Sequence, residues 1–341
     1  MIHPYLIGFI FNMRQKKINY GNAIRLGFEH LLEKYPEVFI IGQGLWSPWY
    51  VGNSMTDLDK KFGTERVIDT PVSELVCTGA AVGASLSNMK PIIVHPRMDF
   101  MLYAMDPIVN QAAKWSHMFG GQSHPGVTIR AIINRGGEQG AQHSQALHSW
   151  FAHVPGLRVV MPSSPLDARD LLISSVLCND PVIYIDDRWL YNEEEDYQDI
   201  KYVDLKNIGP KVTHYGTDIT IIASGYSSYI ARQVRKELVC KNISAEIIDI
   251  RVLSPLEKGV LIESVKKTRN FLVLDSGNRF AGYSGELIAS IVESIPHDTL
   301  CSKPCRIALP DAPAPSSPYL EKIYYPSVEF VTKKALGILK K

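Results

Sequence analysis

An α/β chain of two doubly wound domains is what this sequence predicts, and three observations carry that expectation. Short, uninterrupted apolar runs alternate with helix-patterned segments, as in parallel sheets covered on both faces. A length of 341 residues exceeds what one ordinary hydrophobic core organises. The alternation also halts in a polar, acidic stretch, Glu193-Glu194-Glu195-Asp196-Tyr197-Gln198-Asp199, and then starts again.

Taken in order, residues 1–17 read as a floppy extension, with Met13 as an alternative start. Its apolar run, Tyr5 to Phe11, is far shorter than the ~20 residues that span a bilayer. Its basic residues Arg14, Lys16 and Lys17 follow the run, whereas a signal peptide places them before it. A first domain over 18–191 follows. It opens with a helix through Ala23 to Leu32 and a buried strand, Val38-Phe39-Ile40-Ile41. Val67-Ile68 leads through Asp69-Thr70-Pro71 into an apolar helix, with Thr70 as N-cap and Pro71 at the first helical position. Pro91-Ile92-Ile93-Val94, a helix from about Ala104 to Met118, and Val127 to Ile133 continue the alternation. Leu157 to Met161 and Val182 to Ile185 bracket a helix from Leu166 to Leu177. A linker over 192–211 precedes a second domain over 212–341. That domain carries strands Ile219 to Ala223, Ala245 to Asp249 and Phe271 to Leu274, an irregular loop Pro310 to Pro315, and a closing helix Val328 to Leu339.

Apolar content of 45% and charge of 21% are those of a globular protein, and a formal net charge of +1 gives nucleic acid or a membrane surface no electrostatic handle. Five scattered cysteines suit reduced thiols in the cytoplasm. Cys301 and Cys305 have no second Cys or His pair nearby, so no metal ligands are assigned.

Glu74 is the most informative residue. It falls at the start of a helix that carries Gly79 and Gly83, so one carboxylate is held there with a nearly side-chain-free stripe behind it. Taken alone, it would simply complement the helix dipole. Gly42-Gln43-Gly44 follows a strand, but Ser47 replaces the third glycine of a dinucleotide loop, and Trp46 and Trp49 would crowd a pyrophosphate. Neither G-x4-G-K-[ST] nor Gly-Asp-Gly followed by Asn occurs. Arg135 to Gln145 is a glycine-rich segment after a strand, where parallel sheets bind ligands, and it presents His143 there unless that ring caps the next helix. His148 and His153 suit packing or capping. Phe100 lies just beyond a strand, where an aromatic is more often core than platform.

Together these segments resemble the β-subunits of the thiamine-diphosphate-dependent decarboxylase component of 2-oxo-acid dehydrogenase complexes. The carrying motifs are Ile68-Asp69-Thr70-Pro71-Val72-Ser73-Glu74, Gln142-His143-Ser144-Gln145, Phe151 to Pro162, Asn179-Asp180-Pro181-Val182 and Gly282-Tyr283-Ser284-Gly285-Glu286, collinear from about Ile18 to Ile338. The resemblance implies a pyrimidine-binding domain like that of transketolase, followed by a transketolase C-terminal-like domain. It implies that Glu74 hydrogen-bonds N1′ of the cofactor's aminopyrimidine and favours the imino tautomer that takes the thiazolium C2 proton. It matches Phe100 to the aromatic packed on that ring, and His143 to a histidine that handles the 2-oxo acid or passes the acyl group on.

The diphosphate and its Mg2+ are then held mainly by an α-subunit in an α2β2 assembly with a β–β contact, alongside a lipoyl acyltransferase core in some relatives. Carbonyls near Val127, Ser175 and Asp180 lie where some relatives hold a monovalent cation. Two departures concern the pocket mouth. Gln43-Gly44 replaces the usual carboxylate pair, and Arg97 and Asp99 replace small neutral residues. These changes keep open a carboligase subunit that adds the acyl group to a ketosugar or aldehyde; a non-catalytic scaffold subunit is the alternative of another class, and the joint retention of Glu74, Phe100 and His143 argues against it.

Overall fold

The computed structural model describes residues 17–340. Of the expected N-terminal extension, residues 1–16 lie outside the described residues, and Lys17 opens the first strand. The strands, in chain order, are β1 (Lys17–Asn19), β2 (Val38–Gly42), β3 (Val67–Asp69), β4 (Lys90–His95), β5 (Thr128–Ile133), β6 (Arg158–Val160) and β7 (Val182–Asp187). They continue with β8 (Glu194–Asp196), β9 (Lys211–His214), β10 (Ile219–Ala223), β11 (Ala245–Asp249), β12 (Val252–Ser254), β13 (Phe271–Asn278) and β14 (Cys305–Leu309).

A seven-stranded sheet runs β12-β6-β7-β5-β4-β2-β3, parallel except for the edge strand β12. A five-stranded sheet runs β14-β13-β10-β11-β9, parallel except for β9. Each is doubly wound, as the apolar runs predicted. Alternate residues of the first sheet enter different cores, with Ile93, Ile129 and Ile183 on one face and Ile92, Tyr184 and Val182 on the other. The first of these cores continues into Ile222, Ile248 and Val273 of the second sheet, so the two sheets share one apolar layer.

Three local expectations are corrected. The helix carrying Glu74 spans Glu74–Ser85 with Ser73 as N-cap, so Thr70 is not its cap and Pro71 is not its first residue. The reason lies in the neighbouring strand end: the Thr70 N–H donates to Gly42 O at 2.9 Å, which ties that residue to β2. The single helix expected from Ala104 to Met118 is a succession of a 3-10 turn (Phe100–Ala104), a π segment (Asp106–Ala112) and a short α-helix (Ala113–Met118). The acidic stretch after Asn192 includes β8, which pairs antiparallel with β1, and the Tyr20 N–H donates to Glu193 O at 2.9 Å. No helix among the described residues is long and apolar enough to cross a membrane.

Candidate active site

Parallel strands aim their carboxyl ends at one edge of the sheet, and the chain order reverses between β2 and β4, the position where such sheets open a crevice. Four connections meet there. Gln43 and Gly44 follow β2, Glu74 follows β3, Arg97 and Phe100 follow β4, and His143 follows β5. The ends of β2 and β3 are laced together: the Leu45 N–H donates to Asp69 Oδ1 (3.2 Å) and Trp46 Nε1–H to Val67 O (3.0 Å). Gly44 has φ +66°, and a Cβ there would stand 2.4 Å from the Tyr50 ring, so this turn accepts glycine alone without rearrangement.

Glu74 is half-buried at the first position of its helix. One turn on, Thr78 Oγ1 lies 3.2 Å from Nε2 of His95, the last residue of β4. Burial lowers the His95 pKa to about 4, so the ring is neutral at pH 7 and serves as a fixed strut under the Glu74 helix. The helix's other face is open. Leu75 and Val76 are 51% and 66% exposed, and nothing lies within 4 Å of a Cβ built on Gly79 or Gly83.

Phe100 and His143 meet edge to face, with ring centroids 5.2 Å apart. The next helix, His148–Ala152, starts only after Leu147, so His143 does not cap it. Phe100 is half-buried at the site, not a core residue. Glu74, Phe100 and His143 all line one cleft of about 720 Å³, with Gln43, Tyr50 and Arg97 among its other walls. A larger cleft of about 1010 Å³, lined by Trp150, His153 and Tyr283, holds none of the three.

Sequence reasoning noted Arg97 and Asp99 as departures without assigning them contacts. Asp99 is buried and accepts from the N–H of Gln145 (3.1 Å) and from its Nε2–H (2.9 Å), which holds the His143 segment against β4; burial pushes its carboxyl pKa up. Sequence reasoning also missed what His148 does. It is buried, with Nε2 2.9 Å from Asp275 Oδ1 at the end of β13, so it joins the two domains. A buried histidine alone gives no sign of its partner when that partner is more than a hundred residues away. His153 is the C-cap of the helix His148–Ala152.

The fold and this crevice define the class. Residues 16–193 match the transketolase pyrimidine-binding domain and residues 210–331 the transketolase C-terminal domain. Solved structures agree on the fold. A split-gene transketolase described as an inactive β4 tetramer superposes with a TM-score of 0.74 at 18% identity, over 95% of this chain and 98% of that one.

Among proteins of that class, the beta subunit of the acetoin:2,6-dichlorophenolindophenol oxidoreductase of Cupriavidus necator is 32% identical over 340 residues, covering 95% of this chain and 98% of the relative. The beta-1 subunit of the mitochondrial pyruvate dehydrogenase E1 component of Arabidopsis thaliana is 31% identical, over 93% and 88%. The corresponding beta subunit of Rickettsia felis is 32% identical, over 91% and 95%. The chain belongs to this family of transketolase-like dehydrogenase β-subunits.

Proposed function

We propose that this chain is the β-subunit of a heteromeric, thiamine-diphosphate-dependent enzyme that decarboxylates a 2-oxo acid such as pyruvate and transfers the acyl unit, with a lipoyl group as acceptor. The observation that carries this reading is the convergence of Glu74, Phe100 and His143 on one cleft at the carboxyl ends of parallel strands. The residues fit the cofactor's aminopyrimidine half. A half-buried carboxylate at the cleft wall suits a protonated ring nitrogen, and Phe100 offers an aromatic face beside it. When bound, thiamine diphosphate supplies the nucleophilic carbon and the electron sink for decarboxylation.

In this reading Glu74 would accept the N1′–H and so favour one tautomer of the ring, and Phe100 would offer the face on which the pyrimidine packs. His143, in edge contact with Phe100 on the same cleft wall, would hold or donate a proton at the oxygen of the acyl group. The diphosphate half finds no such fit. Among the described residues no cluster of three or more His, Cys, Asp or Glu could hold a metal ion. The sequence lacks a Gly-Asp-Gly segment followed by Asn, and in this reading diphosphate and Mg2+ are held by an α-subunit in an α2β2 assembly. The apolar cleft rim supports that arrangement, because Trp49 and Tyr103 are 76% and 73% exposed beside the open Glu74 helix. A β–β contact, docking to a lipoyl acyltransferase core and a monovalent cation near Val127, Ser175 and Asp180 belong to the same proposal.

We take residues 18–191 as the cofactor domain, 192–211 as a linker that contains β8 and the first residue of β9, and 212–341 as the C-terminal domain. The five cysteines are free, which suits a reducing compartment such as the cytoplasm. The test is reconstitution. This chain together with its α-subunit should release CO2 from a 2-oxo acid and load lipoamide, only with thiamine diphosphate present. Full turnover by the isolated chain, or none by the pair on any 2-oxo acid, would contradict the proposal.

A further inference from the structure

Arg97 is the one charged group of the cleft that acyl transfer leaves without a task. Its guanidinium lines the same wall as Glu74, Phe100 and His143. Its hydrogen bonds are few and to neutral groups: one N–H donates to the Pro96 carbonyl at 3.2 Å, and another to Gln139 Oε1, in the His143 loop, at 3.4 Å. Its Nε is buried with no partner. The neighbouring buried arginines are neutralised, Arg130 by Asp186 and Arg135 by Asp187, whereas Arg97 has no such ion pair among the described residues.

A second guanidinium without a direct ion pair among the described residues stands behind it, and the nearby Asp99 carboxylate, which acts on Arg97 through its charge, accepts its hydrogen bonds from Gln145. Arg188 donates to the carbonyls of Pro48 (3.0 Å) and Trp49 (3.1 Å) and to Asn134 Oδ1 (3.4 Å), and Asn134 Nδ2–H donates to the same Pro96 carbonyl that Arg97 uses (3.2 Å). Two guanidinium groups thus share one small polar bridge, and no carboxylate pairs with either among the described residues. Of the two, Arg97 lines the cleft, and its planar guanidinium suits an incoming carboxylate or phosphate, while Arg188 adds positive charge from behind.

Resting on the functional reading above, and narrowing its 2-oxo acid from pyruvate to one with an anionic side chain, we propose that Arg97, reinforced by Arg188, is a specificity residue that binds a second anionic group on the acyl portion of the substrate. The carboxylate adjacent to the keto group is the poorer partner. It departs as CO2 and loses its charge, so a guanidinium holding it would stabilise the ground state more than the transition state. A distal carboxylate or phosphate keeps its charge throughout and is held equally in both. The Gln139 contact ties the Arg97 guanidinium to the His143 loop.

The test uses the assembled enzyme with its α-subunit and three probes: 2-oxoglutarate, 2-oxo-4-phosphonobutyrate and the neutral 2-oxovalerate. The expected wild-type kcat/KM favours one anionic probe over 2-oxovalerate by about tenfold or more. Whichever of the two is favoured identifies the anion as carboxylate or phosphate. In Arg97→Gln that ratio should fall by about 100-fold, with most of the change in KM, and Arg97→Lys should recover part of it. A wild-type enzyme that prefers 2-oxovalerate overturns the proposal even without any variant. So does an Arg97→Gln enzyme in which all three probes weaken equally, since that is the behaviour of a residue holding the departing carboxylate. In both cases activity itself persists, so the functional reading stands; loss of turnover on every 2-oxo acid by the wild-type pair would overturn both.

Discussion

Replacing Asp275 by Asn should loosen the junction between the two sheets by an amount the structure allows to be worked out. Asp275 Oδ1 meets His148 Nε2 at 2.9 Å and accepts the Gly277 N–H (3.0 Å), while Oδ2 accepts the Ser284 N–H (2.8 Å). Burial alone would raise the pKa of this carboxyl; the charge and hydrogen bond of His148, with the two backbone donors, more than reverse that and hold it at about 2 against an ordinary 3.8. At ~1.4 kcal/mol per unit, that shift corresponds to about 2–3 kcal/mol. Asparagine has one acceptor oxygen in place of two, so its NH2 must face a backbone N–H. The total cost therefore reaches about 3–5 kcal/mol.

The sign with pH is fixed by the depressed value. This stabilisation is present above pH 3.8 and is lost as pH falls towards 2. Urea unfolding followed by far-UV circular dichroism measures it. Tryptophan fluorescence adds a separate view of the first domain, because Trp46, Trp49, Trp115, Trp150 and Trp189 all precede the linker. A wild-type-to-Asp275→Asn difference that is negligible at pH 7, or that stays constant between pH 4 and pH 2, would refute this reasoning.

Two further substitutions probe the supports of the site. His95→Gln removes a buried ring whose pKa lies at about 4 in the fold against 6.5 unfolded. The stability tied to that neutral ring is full above pH 6.5 and lost as pH falls to 4, so the wild-type advantage over the variant should shrink by about 3 kcal/mol between pH 7 and pH 4; parallel stability curves would contradict it. Gly44→Ala puts a Cβ at φ +66° and 2.4 Å from the Tyr50 ring. It should cost about 1–2 kcal/mol and displace Tyr50 from the cleft wall, seen as a lower melting temperature and weaker cofactor binding in the assembled enzyme.

The strands that pack on both faces were the most legible part of the chain. Ile219–Ala223 forms as its apolar run suggests, since burial on both sides leaves little polar register to misread, and Ala245–Asp249 forms as a buried strand although it carries Glu246 and Asp249. The closing helix Val328–Leu339 was equally clear. Boundaries set by long-range contacts were not. Thr70 has the chemistry of a cap but is bound to the end of β2, which delays the helix to Glu74. The π segment Asp106–Ala112 keeps an apolar periodicity close to that of an α-helix, so pattern alone does not separate them. Glu194–Asp196 pairs with β1 although its composition reads as solvated linker, because an edge pairing needs backbone groups and not apolar side chains.

At the site, the motifs placed Glu74, Phe100 and His143 on separate connections, and the parallel sheet brought those connections to one edge. The struts that fix them, His95 to Thr78 and Asp99 to Gln145, pair residues that no local spacing links.

The most direct measurement is the rate at which the C2 proton of bound thiamine diphosphate exchanges with solvent deuterium, in the assembled enzyme carrying Glu74→Gln against wild type. Loss of the carboxylate should slow that exchange by roughly 10²–10⁴-fold while the subunits still assemble and bind the cofactor. Exchange at the wild-type rate in Glu74→Gln, with cofactor bound, would contradict the role given to this residue and with it the placement of the active site.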